Sequence, residues 1–401
     1  MQSARATGRD EAHDPAGADD GSSIAPRGRS SVRGFFCGLL CAVACGCGGG
    51  GGSGGNNPPP PPPPPTSAAL LAVTNATAGS IDILTIDTKT GIPTPIAGNP
   101  FPDGSTPSAI AIDPQKRFLY VTSAAGEVRG YLINPSPLTL TAISGSPFST
   151  SARSVAIAID PSGQFVLTAN GSANTVSVFK IGASGALTEV TGSPFAAGAG
   201  PSALIVTASH YVYAANATGK SVSAYSMDTT SGALTAVGSP FATAGSPNGL
   251  VADQAGARLY TSESQPNEVS GFSINAGTGA LTAIAGSPFA AGWVVQSPVI
   301  DAEGQRLHAA DGTNIDCFQV NTSTGALSEL GLTYTNARGI ALVVDGPDNF
   351  LFALDNVNNQ VEVFSIDPAS GNLAQITGSP FALFPGASNQ NLGPNAIAVQ
   401  H

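Results

Sequence analysis

A tetrapeptide, Gly-Ser-Pro-Phe, recurs at Gly145–Phe148, Gly192–Phe195, Gly238–Phe241, Gly286–Phe289 and Gly378–Phe381. Gly98-Asn99-Pro100-Phe101 is a near copy, and Gly331-Leu332-Thr333-Tyr334 is an eroded copy standing where the spacing demands one. Successive first glycines lie 45 to 48 residues apart. A period of that length, built from short alternating strands, is the mark of a β-propeller in which each repeat forms one four-stranded sheet.

Each repeat reads alike after its tetrapeptide. A small apolar run such as Ser108–Ile112 suits the strand nearest a crowded axis. A turn follows, as at Asp160-Pro161-Ser162-Gly163, then an aromatic and β-branched strand such as Phe165–Ala169. The third strand alternates, as in Val176-Ser177-Val178-Phe179 and Val361-Glu362-Val363-Phe364, and a Gly-containing turn leads to the outermost strand. Residues 69–97 supply a second, third and fourth strand but no first, whereas residues 394–399 supply a first strand alone. The expected fold is therefore all-β, a seven-bladed β-propeller of four-stranded blades whose C-terminal strand joins the N-terminal blade and closes the ring. Closure leaves no open edge between blades and lets the domain do without disulfides; a monomer is expected. The motif Phe is expected to wedge between neighbouring blades.

The folded part occupies residues 67–401. Residues 1–45 read as a leader: Arg27, Arg29 and Arg33 precede an apolar run, Gly34–Ala44, that is too short to span a bilayer and fits a signal-peptide core. Cys45 follows Ala42-Val43-Ala44, which resembles a bacterial lipoprotein cleavage box except that Ala42 stands where Leu is usual; Cys47 and a plain signal-peptidase cut are the alternatives. Residues 46–66 form a tether, flexible through Gly48–Gly52 and stiff through Pro58–Pro65. Lipidation at Cys45 and a place in the bacterial cell envelope, with the membrane reached only through the anchor, are the resulting expectations.

Charge narrows the functions. Residues 1–66 are neutral, so the propeller carries the whole net charge of −11. An acidic, Lys-poor domain has no electrostatic footprint for nucleic acid. Cys317 is the only cysteine of the propeller, which rules out an internal disulfide there and marks a small core position. The propeller holds no Gly-x-Ser-x-Gly elbow, His-Glu-x-x-His pair, Cys-x-x-Cys pair or Asp-x-Asp-x-Asp-Gly loop, so no cofactor is expected, and a metal only through an assembled carboxylate cluster.

Tyr120-Val121-Thr122-Ser123, Tyr213-Ala214-Ala215-Asn216 and Ala72-Val73-Thr74-Asn75 at the second-strand ends, Asp-Pro-x-Gly turns and Gly-x-Leu ahead of Gly-Ser-Pro-Phe together resemble the lactonase-family seven-bladed propellers, which include propeller-type 6-phosphogluconolactonases. The resemblance spans residues 67–401 and implies a lactone hydrolase. Export counts against a cytoplasmic phosphorylated substrate, as does the scarcity of Lys and Arg for phosphate.

Candidate chemistry gathers on one face, where loops enter the first strand and leave the second. The second strands end in Asn75, Ser123, Asn170, Asn216, Glu263, Asp311 and Asp355, all polar. Arg153 and Arg338 enter at the starts of first strands. In the catalytic reading the arginines orient a carbonyl or anionic group while one of Glu263, Asp311 and Asp355 activates water. Asn75, Asn170, Asn216 and Trp293 would contact a small lactone or sugar-like ligand, Trp293 by stacking. His308 stands where other repeats have Tyr or Phe and reads as a packing residue. The alternative is a non-catalytic envelope propeller that binds a protein or glycan, its Asn and Asp side chains bonding their own turns.

Overall fold

The computed structural model describes residues 69–400 apart from 151, 239, 293–294, 335–338, 347–349 and 384–393. Seven antiparallel sheets make seven blades, and no helix occurs among the described residues. Blade 2 is typical: Pro107–Ile112 lies innermost, then Phe118–Ser123, Glu127–Pro135 and, outermost, Leu138–Ala142. The innermost strands of blades 3 to 7 are Ser154–Ile159, Pro201–Val206, Ser246–Ala252, Gln296–Ile300 and Gly339–Val344. Blade 1 takes Ala69–Asn75, Ser80–Ile86 and Pro93–Pro95 from the start of the domain and Pro394–Gln400 from its end. The latter is innermost, with Leu71 opposite Val399 and Val73 opposite Ile397. Each innermost strand touches its neighbours in turn around a closed ring, as the strand count in the sequence requires.

The core lies in the seams between blades. Phe165, Leu167, Val176 and Val178 of blade 3 pack on Leu204, Val212, Ala214 and Tyr225 of blade 4, and six further seams are built the same way. A blade is covered on both faces, so both sets of alternating side chains are buried: Val176 and Ser177 are each 0% exposed. The motif phenylalanines Phe101, Phe148, Phe195, Phe241, Phe289 and Phe381 pack against six of the seams, the wedging expected of them.

The rest of the motif serves the same wall. Its glycine sits in the left-handed region, with φ of 88° at Gly145 and Gly192, and ends the outermost strand. The break would orphan one third-strand N–H, which the motif hydroxyl satisfies: Ser146, Ser193, Ser287 and Ser379 accept from Gly130, Val178, Gly271 and Val363 at 2.9–3.1 Å. Asn99 does this in blade 1, accepting from Ile83 at 3.0 Å. The chain then rejoins the third strand through two residues, as where Phe148 pairs with Val128. Blade 6, with Gly-Leu-Thr-Tyr, has no such break, and its outermost strand runs on as Leu327–Tyr334.

Neighbouring blades are also latched by buried polar bonds. The hydroxyls of Tyr120, Tyr213 and Tyr260 donate to the carbonyls of Gly185, Gly279 and Gly325 in the next blade at 2.7, 2.9 and 2.8 Å. His308 holds the equivalent place in blade 6. It is 0% exposed, and its Nδ1 lies 3.2 Å from the Cys317 sulfur, so both residues are core as expected. Arg306 holds the next turn instead, its Nη2 donating to the Ala369 carbonyl at 3.0 Å.

Candidate functional site

The second-strand ends, the hairpins that follow and the crossovers into the first strands share one end of the propeller, the mouth. Here the sequence-derived polar residues are buried, and most are engaged with their own turns. Asp355 Oδ1 accepts from the N–H groups of Val357 and Asn358 at 2.9 and 3.0 Å, and Oδ2 accepts from the side chains of Asn358 and Gln360. Asp311 closes its hairpin through Thr313 N, Asn314 N and Asn314 Nδ2. Glu263 accepts from the Thr261 hydroxyl at 2.8 Å and from Gly245 N, tying the incoming crossover to the blade. Asn75 accepts from Ala78 N, and Asn170 and Asn216 donate to Ser177 and Ser223 on their third strands. A short acid or amide at this point satisfies hairpin N–H groups that strand pairing leaves over.

Arg153 lies at the same end, exposed, just ahead of the innermost strand of blade 3. The described ion pairs are Arg117–Asp113, Arg129–Glu127 and Arg258–Asp253, so Arg153 joins none of the three candidate carboxylates, which belong to blades 5, 6 and 7. Arg338, Trp293 and Cys45 lie outside the described residues.

One position on the third strand was missed by sequence reasoning. Blades 3, 4 and 5 have Ser177, Ser223 and Ser270 there, whereas blades 6, 7 and 1, consecutive around the ring, have Asp316, Glu362 and Asp82. All three acids are buried, with exposures of 0 to 1%. The position receives the crossover from the preceding blade: Gly198 N donates to Ser223 Oγ at 3.0 Å, and Gly292 N to Asp316 Oδ2 at 3.3 Å. Asp316 Oδ1 has no hydrogen-bond partner among the described residues. Burial, helped by the nearby charges of Asp311 and Glu329, pushes the Asp316 carboxyl up to about 6, while the Gly292 bond works the other way. The available signal was the break from serine to acid in three successive repeats. It was obscured because polar residues in an alternating strand read as a solvent face.

A separate cavity of about 500 Å³ opens at the other end of the ring. Ile112, Ala252, Ile300 and Val399 line it, with Asp301 and Asp345 among them, and none of the mouth residues does. Among the described residues, no cluster of three or more His, Cys, Asp or Glu is placed to hold a metal ion.

Architecture and mouth together define a seven-bladed propeller with buried acids gathered in one sector. The profile of the family described as lactonase, 7-bladed β-propeller, matches residues 69–203 and 190–296, more than half of the chain. The chain belongs to that family. Comparison with curated proteins gave no match. Among solved structures, a Bacteroides fragilis protein assigned as a 6-phosphogluconolactonase is 17% identical with a TM-score of 0.72, over 84% of this chain and 99% of that one. The periplasmic gluconolactonase of Pseudomonas aeruginosa is 19% identical with a TM-score of 0.68, over 84% and 99%. At these identities the likeness is one of fold.

Proposed function

We propose that this protein is an exported, lipid-anchored lactonase that opens a sugar lactone at its mouth face. Membership of the lactonase propeller family carries the reading. The gluconolactonase among its structural neighbours is periplasmic, which agrees with the signal-like run Gly34–Ala44 and Cys45. An unphosphorylated lactone suits an acidic domain poor in Lys and Arg.

Hydrolysis needs a base for water and a donor for the developing oxyanion. Of the mouth carboxylates Glu263, Asp311, Asp316 and Asp355, only Asp316 has an oxygen without a partner among the described residues, and we assign water activation to it. Asp316 takes a proton as water attacks the lactone carbonyl. The ring C–O bond then breaks, and the proton passes to the departing alkoxide, leaving a hydroxy acid. Arg153, and Arg338 on the same face by sequence position, orient the carbonyl.

The second reading is a non-catalytic propeller that binds an envelope protein or glycan. The commitment of Glu263, Asp311 and Asp355 to local bonds favours it. A panel of sugar and aliphatic lactones, assayed with wild type and Asp316→Asn, separates the two. The lactonase reading expects turnover that falls by about 10²–10⁴ in the variant. Absence of turnover on every lactone supports the second reading.

A further inference from the structure

The cavity at the end of the ring away from the mouth has no part in the hydrolysis proposed above, yet it has the make-up of a ligand site, an apolar wall with a few polar groups. The ends of the innermost strands form the wall, with Ala111, Val251, Val343 and Val399 among the lining residues. Asp301 of blade 6 and Asp345 of blade 7 are the only charged side chains in the lining, and no Lys or Arg contributes to it.

Elsewhere the acid at this turn is paired. Asp113 in blade 2 and Asp253 in blade 5 occupy the same place, and each meets an arginine, Arg117 at 2.9 Å and Arg258 at 3.2 Å. Blade 6 has an arginine too, but there it is turned away. His308 stands in place of the latching tyrosine, and Arg306 holds the next blade, its three guanidinium nitrogens donating to the carbonyls of Gln305, Ala369 and Ser370. Asp301 is only 8% exposed and takes part in none of the described ion pairs. Its Oδ1 accepts from Gln305 N, and Oδ2 has no hydrogen-bond partner among the described residues. Burial pushes this carboxyl above its usual range; the N–H groups of Arg306 and Gln305 pull it back, and the charge of Glu303 adds to the push. A carboxylate held beside an apolar cavity without a counter-charge is unfavourable, and a bound cation relieves it.

We propose that this cavity binds an aliphatic ammonium ion, its head donating to Asp301 Oδ2 and its hydrocarbon stem lying along the apolar wall. The lining selects that class. Two carboxylates with no cation among them attract a positive head and repel an anionic one, and N–H donors that carry charge make the stronger hydrogen bonds to a carboxylate. A wall of Val, Ile and Ala offers a sugar ring no hydrogen bonds, whereas a chain of methylenes leaves water by lying on it.

The test is equilibrium dialysis of the full-length protein against hexylammonium, butylammonium, hexanol and hexanoate at neutral pH. Asp301→Asn removes the charge and keeps the shape. Ala111→Phe narrows the cavity and leaves the charge. Asp316→Asn, at the mouth, is the comparison for location. The expected result is one site for hexylammonium, at least tenfold weaker in Asp301→Asn and in Ala111→Phe, unchanged in Asp316→Asn, and weaker at high salt, with circular dichroism unchanged in each variant. Butylammonium, shorter by two methylenes, should bind about tenfold more weakly. Hexanol should bind weakly and hexanoate not measurably. A wild type that retains no hexylammonium overturns the proposal. Hexanol held as tightly as hexylammonium overturns it as well, and so does binding lost in Asp316→Asn but kept in Asp301→Asn.

Discussion

If the seams hold the ring together, deleting one latch oxygen must cost stability while leaving the packing intact. Tyr213→Phe is the cleanest such change. Tyr213 is 0% exposed, and its hydroxyl donates to the buried Gly279 carbonyl at 2.9 Å. The ring stays, and blade 7 shows that this seam position accepts a bare phenyl ring, since Phe352 sits there fully buried. No cavity larger than one oxygen opens, so the effect is the lost bond plus an acceptor stranded away from water. That combination costs about 1–3 kcal/mol. Tyr120→Phe cuts the equivalent 2.7 Å bond between blades 2 and 3, and the two seams share no residue, so the costs should add. Urea denaturation followed by tryptophan fluorescence and circular dichroism reads this as a lower midpoint at unchanged slope. Midpoints within about 0.5 kcal/mol of wild type for both single variants and the double variant would refute the latch argument.

Other consequences follow from named residues. Burial holds His308 down at about 4, so the folded state resists its protonation and stability rises with pH between about 4 and 6.5. Asp316, held up at about 6, acts in reverse: the folded state keeps its proton and stability falls as pH rises from about 4 to 6. The two slopes oppose each other, so Asp316→Asn should leave a rising stability–pH curve over that range and His308→Phe a falling one, measured as denaturation midpoints. Gly232→Ala should cost at least about 1–2 kcal/mol by the same assay, since φ there is 76° and a Cβ would meet the Phe165 ring at 2.6 Å. Deleting residues 394–401 should abolish the cooperative transition by circular dichroism, because it strips blade 1 of its innermost strand and opens the ring.

The ring could be read from the sequence because every blade repeats one packing solution. The spacing of Gly145, Gly192 and Gly238 counts blades, and a first strand lacking at residue 69 but present at 394 closes the count. The mouth was only half legible. Asn75, Glu263 and Asp355 could be read as the ends of second strands, but whether an acid there faces a ligand or its own hairpin depends on two or three N–H groups whose directions no spacing reveals. Asp316 and Glu362 were hidden by a different cause. Alternation in a strand signals one wet face in most sheets, whereas a blade has a neighbour on each side, so the polar set is buried as well. The serine of Gly-Ser-Pro-Phe could be seen to recur, but its task, capping one third-strand N–H, needed the register.

The measurement closest to the heart of the account is the pH–rate profile of gluconolactone hydrolysis, corrected for spontaneous opening, in wild type and Asp316→Asn. The account predicts enzymatic turnover whose kcat/KM climbs through a limb near pH 6, as the Asp316 carboxyl ionises, and a variant that has lost both the limb and most of the rate. A wild type no faster than buffer, or a limb that survives in Asp316→Asn, would contradict it.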